Sequence, residues 1–352
     1  MQSGALTGPK LYSMNPFSYH RAADTADALG QIERSPAHQF IGGGTNLLDL
    51  WKYNLTHPST LVDITRLDDL KQITELPNGG LRLGALATNA DTAYHPIVQK
   101  RYPLLSRAIL AAASAQIRNS ATNGGNLLQR TRCLYFYDQH SPCNKREPGT
   151  GCPAIAGHHR KLAILGHSTA CIATHPSDMC VALAALEAVV QVAGPEGERS
   201  IPMADFHRLP GEHPEIDTVL GDNELITAID LPAEGYAAHH SYLKVRDRNS
   251  YAFALVSVAT GFTLLENRIS NARIALGGVA HKPWRVREAE IYLSGKAPID
   301  EHFSVAADMV LEGAEGFGQN NFKIPLAKRA IIRNGRMALD PDSQRPGARP
   351  SL

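Results

Sequence analysis

The chain has 352 residues, of which 43% are hydrophobic and 20% charged, a composition typical of a folded globular protein of two or three domains. The 35 basic and 34 acidic residues leave a net charge of +1, so no basic surface for nucleic acid or anionic membrane is predicted. No apolar run reaches the ~18 residues of a membrane span, and no stretch resembles a signal peptide. We expect residues 1–13 to be a disordered extension and residues 346–352 a tail.

Helix and strand patterns alternate in the first part of the chain. HQFIG, STLVDIT and GGLRLGAL are typical of strands, whereas TNLLDLWKYN and YPLLSRAILAAAS have apolar residues at helical spacing. After residue 170, SDMCVALAALEA predicts a helix, and AVVQVAG and ELITAIDLP predict strands. From about residue 240, two long β runs joined around ENR and two amphipathic helices indicate a separate domain.

Two glycine-rich segments are candidate ligand loops. FIGGGTNLL (40–48) places three glycines between a strand and a helix, where backbone N–H groups could surround an anion such as a pyrophosphate. A plain tight turn explains this segment equally simply. NSATNGGNLLQ (119–129) repeats the pattern, and Thr122 and Asn126 could bond phosphate oxygens or ribose hydroxyls. The two loops together favour a nucleotide ligand.

Residues 129–170 form a polar stretch rich in glycine, proline and histidine, with little periodicity, which indicates a functional insertion. Four cysteines accompany it, separated by 9, 8 and 18 residues: Cys133, Cys143, Cys152 and Cys171. Four thiolates suit either a [4Fe-4S] cluster or a tetrahedral zinc ion, and the spacing leaves both open. Cys180, in the apolar helix that follows, is predicted to be a core residue.

Two polar patterns have plain structural explanations. Ser177 and Asp178 open the predicted helix SDMCVALAALEA, as N-capping residues do. Lys244, Arg246 and Arg248 precede a predicted strand, where a solvated basic edge is the simplest interpretation.

Taken in order, these segments resemble the FAD-binding medium subunits of the molybdenum hydroxylases, which include xanthine dehydrogenases, carbon monoxide dehydrogenases and aldehyde oxidoreductases. The family's first glycine loop matches IGGGTNLL, its second matches ATNGGNLL, and its Ser-Asp pair matches Ser177–Asp178. ELITAIDLP, YLKVRDR and ARIALGGVAHKPWR also resemble family segments, so the resemblance runs from about 14 to 340.

The resemblance implies an α+β fold. Residues 14–235 would form a two-subdomain FAD-binding unit of the vanillyl-alcohol-oxidase/PCMH type, with a cysteine-rich insertion at about 129–172. Residues 236–345 would form a C-terminal α+β domain of antiparallel strands and helices.

It also implies the residues that contact FAD. The pyrophosphate would be wrapped by the first loop: Phe40, Ile41, Gly42, Gly43, Gly44, Thr45, Asn46 and Leu47. A second wall would consist of Thr122, Gly125, Asn126 and Leu128. Beside Ser177, Asp178 would accept hydrogen bonds from a ribose, Ile226 would pack near the flavin ring, and Lys244 would lie by the cofactor.

In most members of the family the second loop runs almost directly into the Ser-Asp pair, whereas here roughly forty residues intervene. This departure resembles a smaller group, the flavin subunits of bacterial periplasmic aldehyde oxidoreductases, whose insertion holds an additional [4Fe-4S] cluster. The resemblance thus makes Cys133, Cys143, Cys152 and Cys171 the ligands of such a cluster.

The implied function is electron transfer in a heterotrimeric molybdenum-dependent aldehyde oxidoreductase. The aldehyde would react at a molybdenum cofactor in a large partner, and electrons would pass through two [2Fe-2S] clusters of a small partner to FAD and an external acceptor. This chain would contribute no catalytic acid or base. Co-export with a twin-arginine-bearing partner would place it in the periplasm, and otherwise it is expected in the cytoplasm.

Other functions remain open on the sequence alone. The chain could serve another molybdenum hydroxylase, of the xanthine dehydrogenase or 4-hydroxybenzoyl-CoA reductase type. A non-catalytic assembly module with structural zinc and a stand-alone flavin oxidase are further alternatives.

Overall fold

The computed structural model describes residues 14–344, so the expected extension at 1–13 and the tail at 346–352 lie outside the described residues. Its strands are β1 (Ser18–Arg21), β2 (His38–Ile41), β3 (Thr60–Asp63), β4 (Ile73–Glu75), β5 (Leu81–Gly84), β6 (Val189–Gly194), β7 (Gly197–Pro202), β8 (Leu225–Leu231), β9 (His240–Val245), β10 (Val256–Leu265) and β11 (Arg268–Gly277).

The α-helices are short except near the C-terminal end of the chain. They are α1 (Thr25–Ile32), α2 (Leu47–Lys52), α3 (Asn89–Tyr94), α4 (Pro96–Arg101), α5 (Pro103–Ala111), α6 (Ala115–Arg118), α7 (Asn123–Leu127), α8 (Leu134–Tyr137), α9 (Asp178–Ala185), α10 (Met203–Phe206), α11 (Arg287–Leu293), α12 (Asp300–Val310) and α13 (Lys323–Leu339). No helix within residues 14–344 has the length and apolar character needed to cross a membrane.

The first subdomain is a small parallel sheet in the order β1-β3-β2. Asp24 caps α1 by accepting a hydrogen bond from the Asp27 N–H, and the helix buries Ala28 and Ile32 in the same small core as Val62 of β3. Because β2 ends at Ile41, the first glycine loop starts at the edge of this sheet where the parallel strands end. This is the usual place for a ligand in a parallel sheet.

The second subdomain is an antiparallel sheet in the order β4-β5-β8-β6-β7 with helices packed beside it. The predicted helix SDMCVALAALEA forms α9, and all eight of its residues are buried. A helix that is apolar all round is expected at the centre of a molecule rather than at its surface. Its core cluster also includes Tyr242, Ala259 and Ala275 of the C-terminal sheet, so α9 joins the two domains.

The C-terminal domain is an antiparallel sheet in the order β11-β10-β9 covered by α11, α12 and α13. β10 and β11 form the predicted hairpin, and its turn residues Glu266 and Asn267 both have positive φ, as a tight hairpin turn requires. β10 begins only at Val256, five residues later than the sequence pattern indicated. The predicted α+β fold, with two subdomains followed by this C-terminal domain, is confirmed.

The insertion contains one short α-helix, α8, within the described residues 129–172. It nevertheless has a small core of its own, in which Phe136, Leu162 and Ile172 pack with the cysteines. Ile164 and Leu165 pack into the core of the C-terminal domain. The buried Lys323 ammonium of α13 donates to the carbonyl oxygens of Leu162 (2.7 Å) and Gly278 (2.5 Å). The insertion is therefore fastened to the C-terminal domain.

Candidate FAD cleft and cysteine cluster

The first glycine loop connects β2 to α2 and touches the second loop directly. Gly44 has φ of +70°, a conformation that glycine adopts without strain. At Gly43 a Cβ atom would lie 1.8 Å from the backbone oxygen of Ser120. The Ser120 hydroxyl also donates to the Gly43 carbonyl oxygen at 2.9 Å. Gly43 is thus required by the contact between the two loops, whereas the sequence suggested contact with a ligand.

The two glycines of the second loop lie inside a short helix, α7. Thr122 is its N-cap, and its hydroxyl accepts from the Gly125 N–H at 3.2 Å. The hydroxyl group of Thr122 also faces Gly42 of the first loop, so the two loops form adjoining walls.

Buried amide groups hold the second loop in place. Asn126 donates to Asn89 at 2.6 Å and accepts from the Ser177 hydroxyl at 2.5 Å. Asn89 in turn donates to Asn123 at 3.2 Å. Asn126 and Ser177, both predicted to contact the cofactor, are therefore bonded to each other. Sequence reasoning missed Asn89, which belongs to no recognisable motif, and did not single out Asn123 within the second loop.

Three cavities join into one cleft along these elements. The loop chamber, about 540 Å³, is lined by residues 38–47, Thr122, Gly125 and Leu128. The middle chamber, also about 540 Å³, shares Thr45, Asn46 and Gly125 with it. The inner chamber, about 510 Å³, lies against the insertion and shares Ser177 and Asp178 with the middle chamber. Such an extended cleft suits a dinucleotide.

Asp178 and Lys244 form a buried ion pair at the wall of the middle chamber. Their side chains are 5% and 4% exposed, and Lys244 Nζ lies 2.7 Å from Asp178 Oδ2. Tyr242 donates to Asp178 Oδ1 at 2.6 Å, and burial raises the pKa of Tyr242 well above its usual value, so the hydroxyl keeps its proton. Arg246 donates to the Ala111 carbonyl oxygen at the end of α5. Lys244 and Arg246 are therefore not a solvated edge.

Asn46 offers a donor to a ligand. Its Oδ1 accepts from the Arg130 backbone N–H at 3.0 Å, whereas its buried Nδ2 has no hydrogen-bond partner. An unpaired buried donor costs about 1–3 kcal/mol unless a ligand or water satisfies it. Because Asn46 lies where the loop and middle chambers meet, this donor fits an anionic group such as a pyrophosphate.

The remaining predicted residues divide into two groups. Phe40, Thr45 and Leu128 line the loop chamber, and Leu128 is 42% exposed, so its side chain is available to a ligand. Ile226 on β8 is buried behind the second loop, close to Gly124, and is not among the described residues that line the three chambers. Its contact with a flavin ring stays a prediction.

The four insertion cysteines come together around one small cavity beside α8. They line it together with Lys145, whose side chain is 2% exposed. Burial raises the pKa of Cys133 to about 11, while a hydrogen bond from Cys171 lowers the pKa of Cys152 to about 6. Four convergent thiols beside a cation form a donor set that can hold an iron–sulfur cluster or a metal ion.

A buried ion pair links this cluster to the segment after α10. Lys145 donates to Asp217 and to the carbonyl oxygen of Pro214, and Arg130 pairs with Asp217 at 2.7 Å. Burial opposes ionisation of Asp217, but the charges of Arg130 and Lys145 outweigh it and lower its pKa to about 2. Sequence reasoning missed Asp217, which lies 72 residues after Lys145.

Two families match consecutive parts of the chain. Residues 15–234 match the FAD binding domain in molybdopterin dehydrogenase, and residues 241–328 match the CO dehydrogenase flavoprotein C-terminal domain.

Curated relatives match over nearly the whole chain. The aldehyde oxidoreductase FAD-binding subunit PaoB of Escherichia coli K12 is 50% identical over 319 residues, which cover 90% of this chain and 96% of that protein. The carbon monoxide dehydrogenase medium chain of Hydrogenophaga pseudoflava is 28% identical over 90% of this chain and 95% of its own length.

Solved structures have the same fold. Quinoline 2-oxidoreductase from Pseudomonas putida 86 superposes with a TM-score of 0.72 at 25% identity, covering 94% of this chain and 99% of that chain. Carbon monoxide dehydrogenase from Hydrogenophaga pseudoflava superposes with a TM-score of 0.73 at 25% identity, covering 93% and 98%. Since one family covers well over half of the chain and a 50%-identical relative covers 90% of it, the chain belongs to the FAD-binding medium subunits of the molybdenum hydroxylases.

Proposed function

We propose that this chain is the FAD- and [4Fe-4S]-containing electron-transfer subunit of a molybdenum-dependent aldehyde oxidoreductase. The observation that carries the proposal is the continuous cleft between the two glycine loops, in a chain 50% identical to an aldehyde oxidoreductase FAD-binding subunit. Large molybdenum-cofactor and small [2Fe-2S] partners would complete a heterotrimer. Co-export with a twin-arginine-bearing partner would take the complex to the periplasm.

The residues of both loops fit the phosphate-containing part of FAD. Phe40 to Leu47 would surround the pyrophosphate, and the free Nδ2 of Asn46 would donate to a phosphate oxygen. Thr122, Gly125, Asn126 and Leu128 would form the opposite wall. Basic side chains of the middle chamber, including Arg118 and Arg132, would favour the negative charge electrostatically.

The buried Asp178–Lys244 pair is suited to orienting the ribityl and flavin part. Each oxygen of Asp178 already accepts one hydrogen bond and retains a lone pair for a hydroxyl of the cofactor. Lys244 would stand beside the cofactor as a fixed positive charge. When bound, the flavin would supply the electron-accepting chemistry between the small partner's clusters and an external acceptor.

The carboxylates of the middle chamber support a role without acid–base catalysis. Asp49 pairs with Arg132 at 2.7 Å, and Asp178 pairs with Lys244 at the same distance. Asp247 pairs with Arg160 at 2.9 Å. Each of these carboxylates is therefore engaged by a basic side chain. Aldehyde oxidation at the large partner, with this chain as the electron exit, agrees with that arrangement.

The resemblance of the insertion to those of periplasmic aldehyde oxidoreductase flavin subunits favours an iron–sulfur cluster over zinc. The four cysteines line one small cavity beside Lys145, and such a set of thiols can hold either group. Cys133, Cys143, Cys152 and Cys171 are the proposed ligands.

The first experiment tests the cofactors in the purified full chain. Heat denaturation should release one FAD per chain into the supernatant, and metal analysis should find four iron atoms. A supernatant without flavin, or zinc in place of the iron, would contradict the proposal.

The second experiment tests the partners. The tagged chain, purified from its natural host, should bring with it a molybdenum-containing large subunit and a [2Fe-2S]-containing small subunit. The complex should oxidise aldehydes. Recovery of a complex that oxidises purines or reduces a hydroxybenzoyl thioester instead would assign the chain to another molybdenum hydroxylase, whereas an active chain purified alone would indicate a stand-alone oxidase.

A further inference from the structure

A second group of possible metal ligands lies outside the cleft and the four-cysteine cluster. The donor atoms of His175, Cys180 and His207 all lie within 4.8 Å of one another. Cys180 is fully buried in α9, and His207 is 3% exposed in the segment after α10. The two imidazole rings lie with their centroids 4.2 Å apart. Three segments that are distant in sequence therefore bring two imidazoles and a thiol to one buried point.

One ring nitrogen of each of these two histidines is buried without a hydrogen-bond partner. Nε2 of His207 lies 2.8 Å from the carbonyl oxygen of Leu127, and a carbonyl can only accept, so this nitrogen carries the proton. The other nitrogen, Nδ1, then presents a lone pair, and it is buried without a partner. Nε2 of His175 is likewise buried and unpartnered. An imidazole whose second nitrogen is fixed by a backbone carbonyl is the usual state of a metal-ligating histidine.

We propose that His175, Cys180 and His207 bind one Zn²⁺ ion through Nε2, Sγ and Nδ1. Two imidazole nitrogens and one thiolate are a donor set that zinc uses, with a fourth position left for water or a further side chain. The neighbouring His281 has two buried ring nitrogens without partners and is a candidate for that position.

One feature favours zinc over copper at this site. Copper sites with the same three ligands commonly use a methionine sulfur as a long axial contact. The sulfur of Met179, next to Cys180, instead lies 3.7 Å from Nδ2 of Asn89 in the amide network of the second loop. The thiol of Cys180 would lose its proton to solvent as the Zn–S bond forms, which couples zinc uptake to proton release.

The site would fix the segment that presents Ser177 and Asp178 to the cleft. His175 lies two residues before Ser177, and His207 holds the last residue of α7, Leu127, through its carbonyl oxygen. One ion would thus join the second glycine loop, α9 and the segment after α10. This role is structural and does not depend on the identity of the substrate.

Metal analysis of the purified full chain tests the proposal. We expect about one zinc per chain in addition to any iron. Cys180→Ser should lose the zinc and keep the iron, and the matched variant Cys143→Ser should do the opposite. His207→Gln should also lose the zinc. Replacement of zinc by Co²⁺ should give thiolate-to-cobalt absorption in the near ultraviolet, absent from Cys180→Ser.

Anomalous diffraction at the zinc absorption edge, on crystals of the wild-type chain, decides the question even where a variant does not fold. A peak between His175, Cys180 and His207 supports the proposal. No peak, with ordered water at that point and no Co²⁺ uptake, would overturn it and leave the histidines as water-bonded core residues. Stoichiometric copper in place of zinc would overturn the choice of ion.

Discussion

At Gly43 the two glycine loops approach each other more closely than any side chain would permit. We predict that Gly43→Ala separates them, since its Cβ would lie 1.8 Å from the Ser120 oxygen, a rigid backbone atom. Such overpacking costs about 1–3 kcal/mol. Because the proposed FAD pocket lies between these loops, the affinity for FAD should fall about 10- to 100-fold, measured as the ratio of flavin to protein and by titration of the flavin-free chain.

Gly30 provides the matched control. It lies within α1, and a Cβ there would meet nothing within 4 Å. Gly30→Ala should leave the flavin content unchanged and raise helix stability by up to about 1 kcal/mol. Equal loss of flavin in both variants would mean that the loop contact at Gly43 is not the cause.

The ionisation of Asp217 makes the stability of the insertion depend on pH in the acid range. Its pKa is lowered from 3.8 to about 2, so its stabilising effect is complete above about pH 4 and is lost as the pH falls toward 2. The free energy of unfolding of Asp217→Asn should therefore fall less than that of wild type between about pH 4 and pH 2. At pH 7 the variant should be less stable by about 2 kcal/mol, because the buried Lys145 loses its negatively charged partner and keeps only the Pro214 carbonyl oxygen.

The measurement is the melting temperature by circular dichroism from pH 7 to pH 3. Glu212→Gln, an exposed acid in the same segment, is the control and should follow wild type throughout. Parallel curves for Asp217→Asn and wild type would show that Asp217 titrates normally.

The residues that sequence could identify are those in local motifs, and the residues that it missed act over long separations. Gly42 to Gly44, Thr122 and Asp178 stand in short recognisable patterns. Asn89, Asp217 and Lys323 are polar residues whose partners lie 37, 72 and 161 residues away. Such pairs depend on how the domains dock, which no local pattern records.

The insertion contains little regular secondary structure, and polar groups hold it in place. We predict that Cys143→Ser removes four iron atoms per chain, since a [4Fe-4S] cluster needs all four thiolates. Without the cluster the exposed turn at 147–150 should loosen, and trypsin should cleave after Arg146. Iron analysis and limited proteolysis followed by mass spectrometry would measure both effects.

Cys180→Ser is the control for iron, because Cys180 lies in α9 and outside the cysteine cluster. Its iron content should equal that of wild type. Loss of four iron atoms from this variant, with full iron in Cys143→Ser, would contradict the ligand assignment.

Among the elements, those with strong periodicity were predictable, and those shaped by tertiary contacts were not. The hairpin of β10 and β11, and α5 and α13, follow from apolar spacing, and α9 follows from its continuous apolar run. The segment 251–255 has the composition of a strand, yet Tyr251 has φ of 50° and lines the middle chamber. The insertion, predicted from its polar composition and weak periodicity to be an irregular functional segment, also places Ile164 and Leu165 in the core of the C-terminal domain.

For the whole molecule, we predict that the isolated chain carries FAD but does not oxidise aldehydes. The carboxylates of the middle chamber are ion-paired, and the substrate chemistry is assigned to the large partner. Turnover should appear only when the large and small partners are added. Dye-linked assays of the chain alone and of the complete complex would measure this.

An artificial reductant provides the positive control. Dithionite should bleach the flavin absorption of the isolated chain, which shows that its flavin is competent. Aldehyde turnover by the chain alone, at rates like those of the complete complex, would contradict the role of electron outlet.

The buried contact between Lys323 and the carbonyl of Leu162 also bears on how the protein is made in the cell. A ribosome that has just added Cys133 must still add 190 residues to reach Lys323, which takes about 10–40 s at 5–20 residues per second. During that interval the nascent insertion lacks its contact with the last long helix. For the proposed cluster, we expect iron and sulfide to enter the insertion before α13 docks against Leu162.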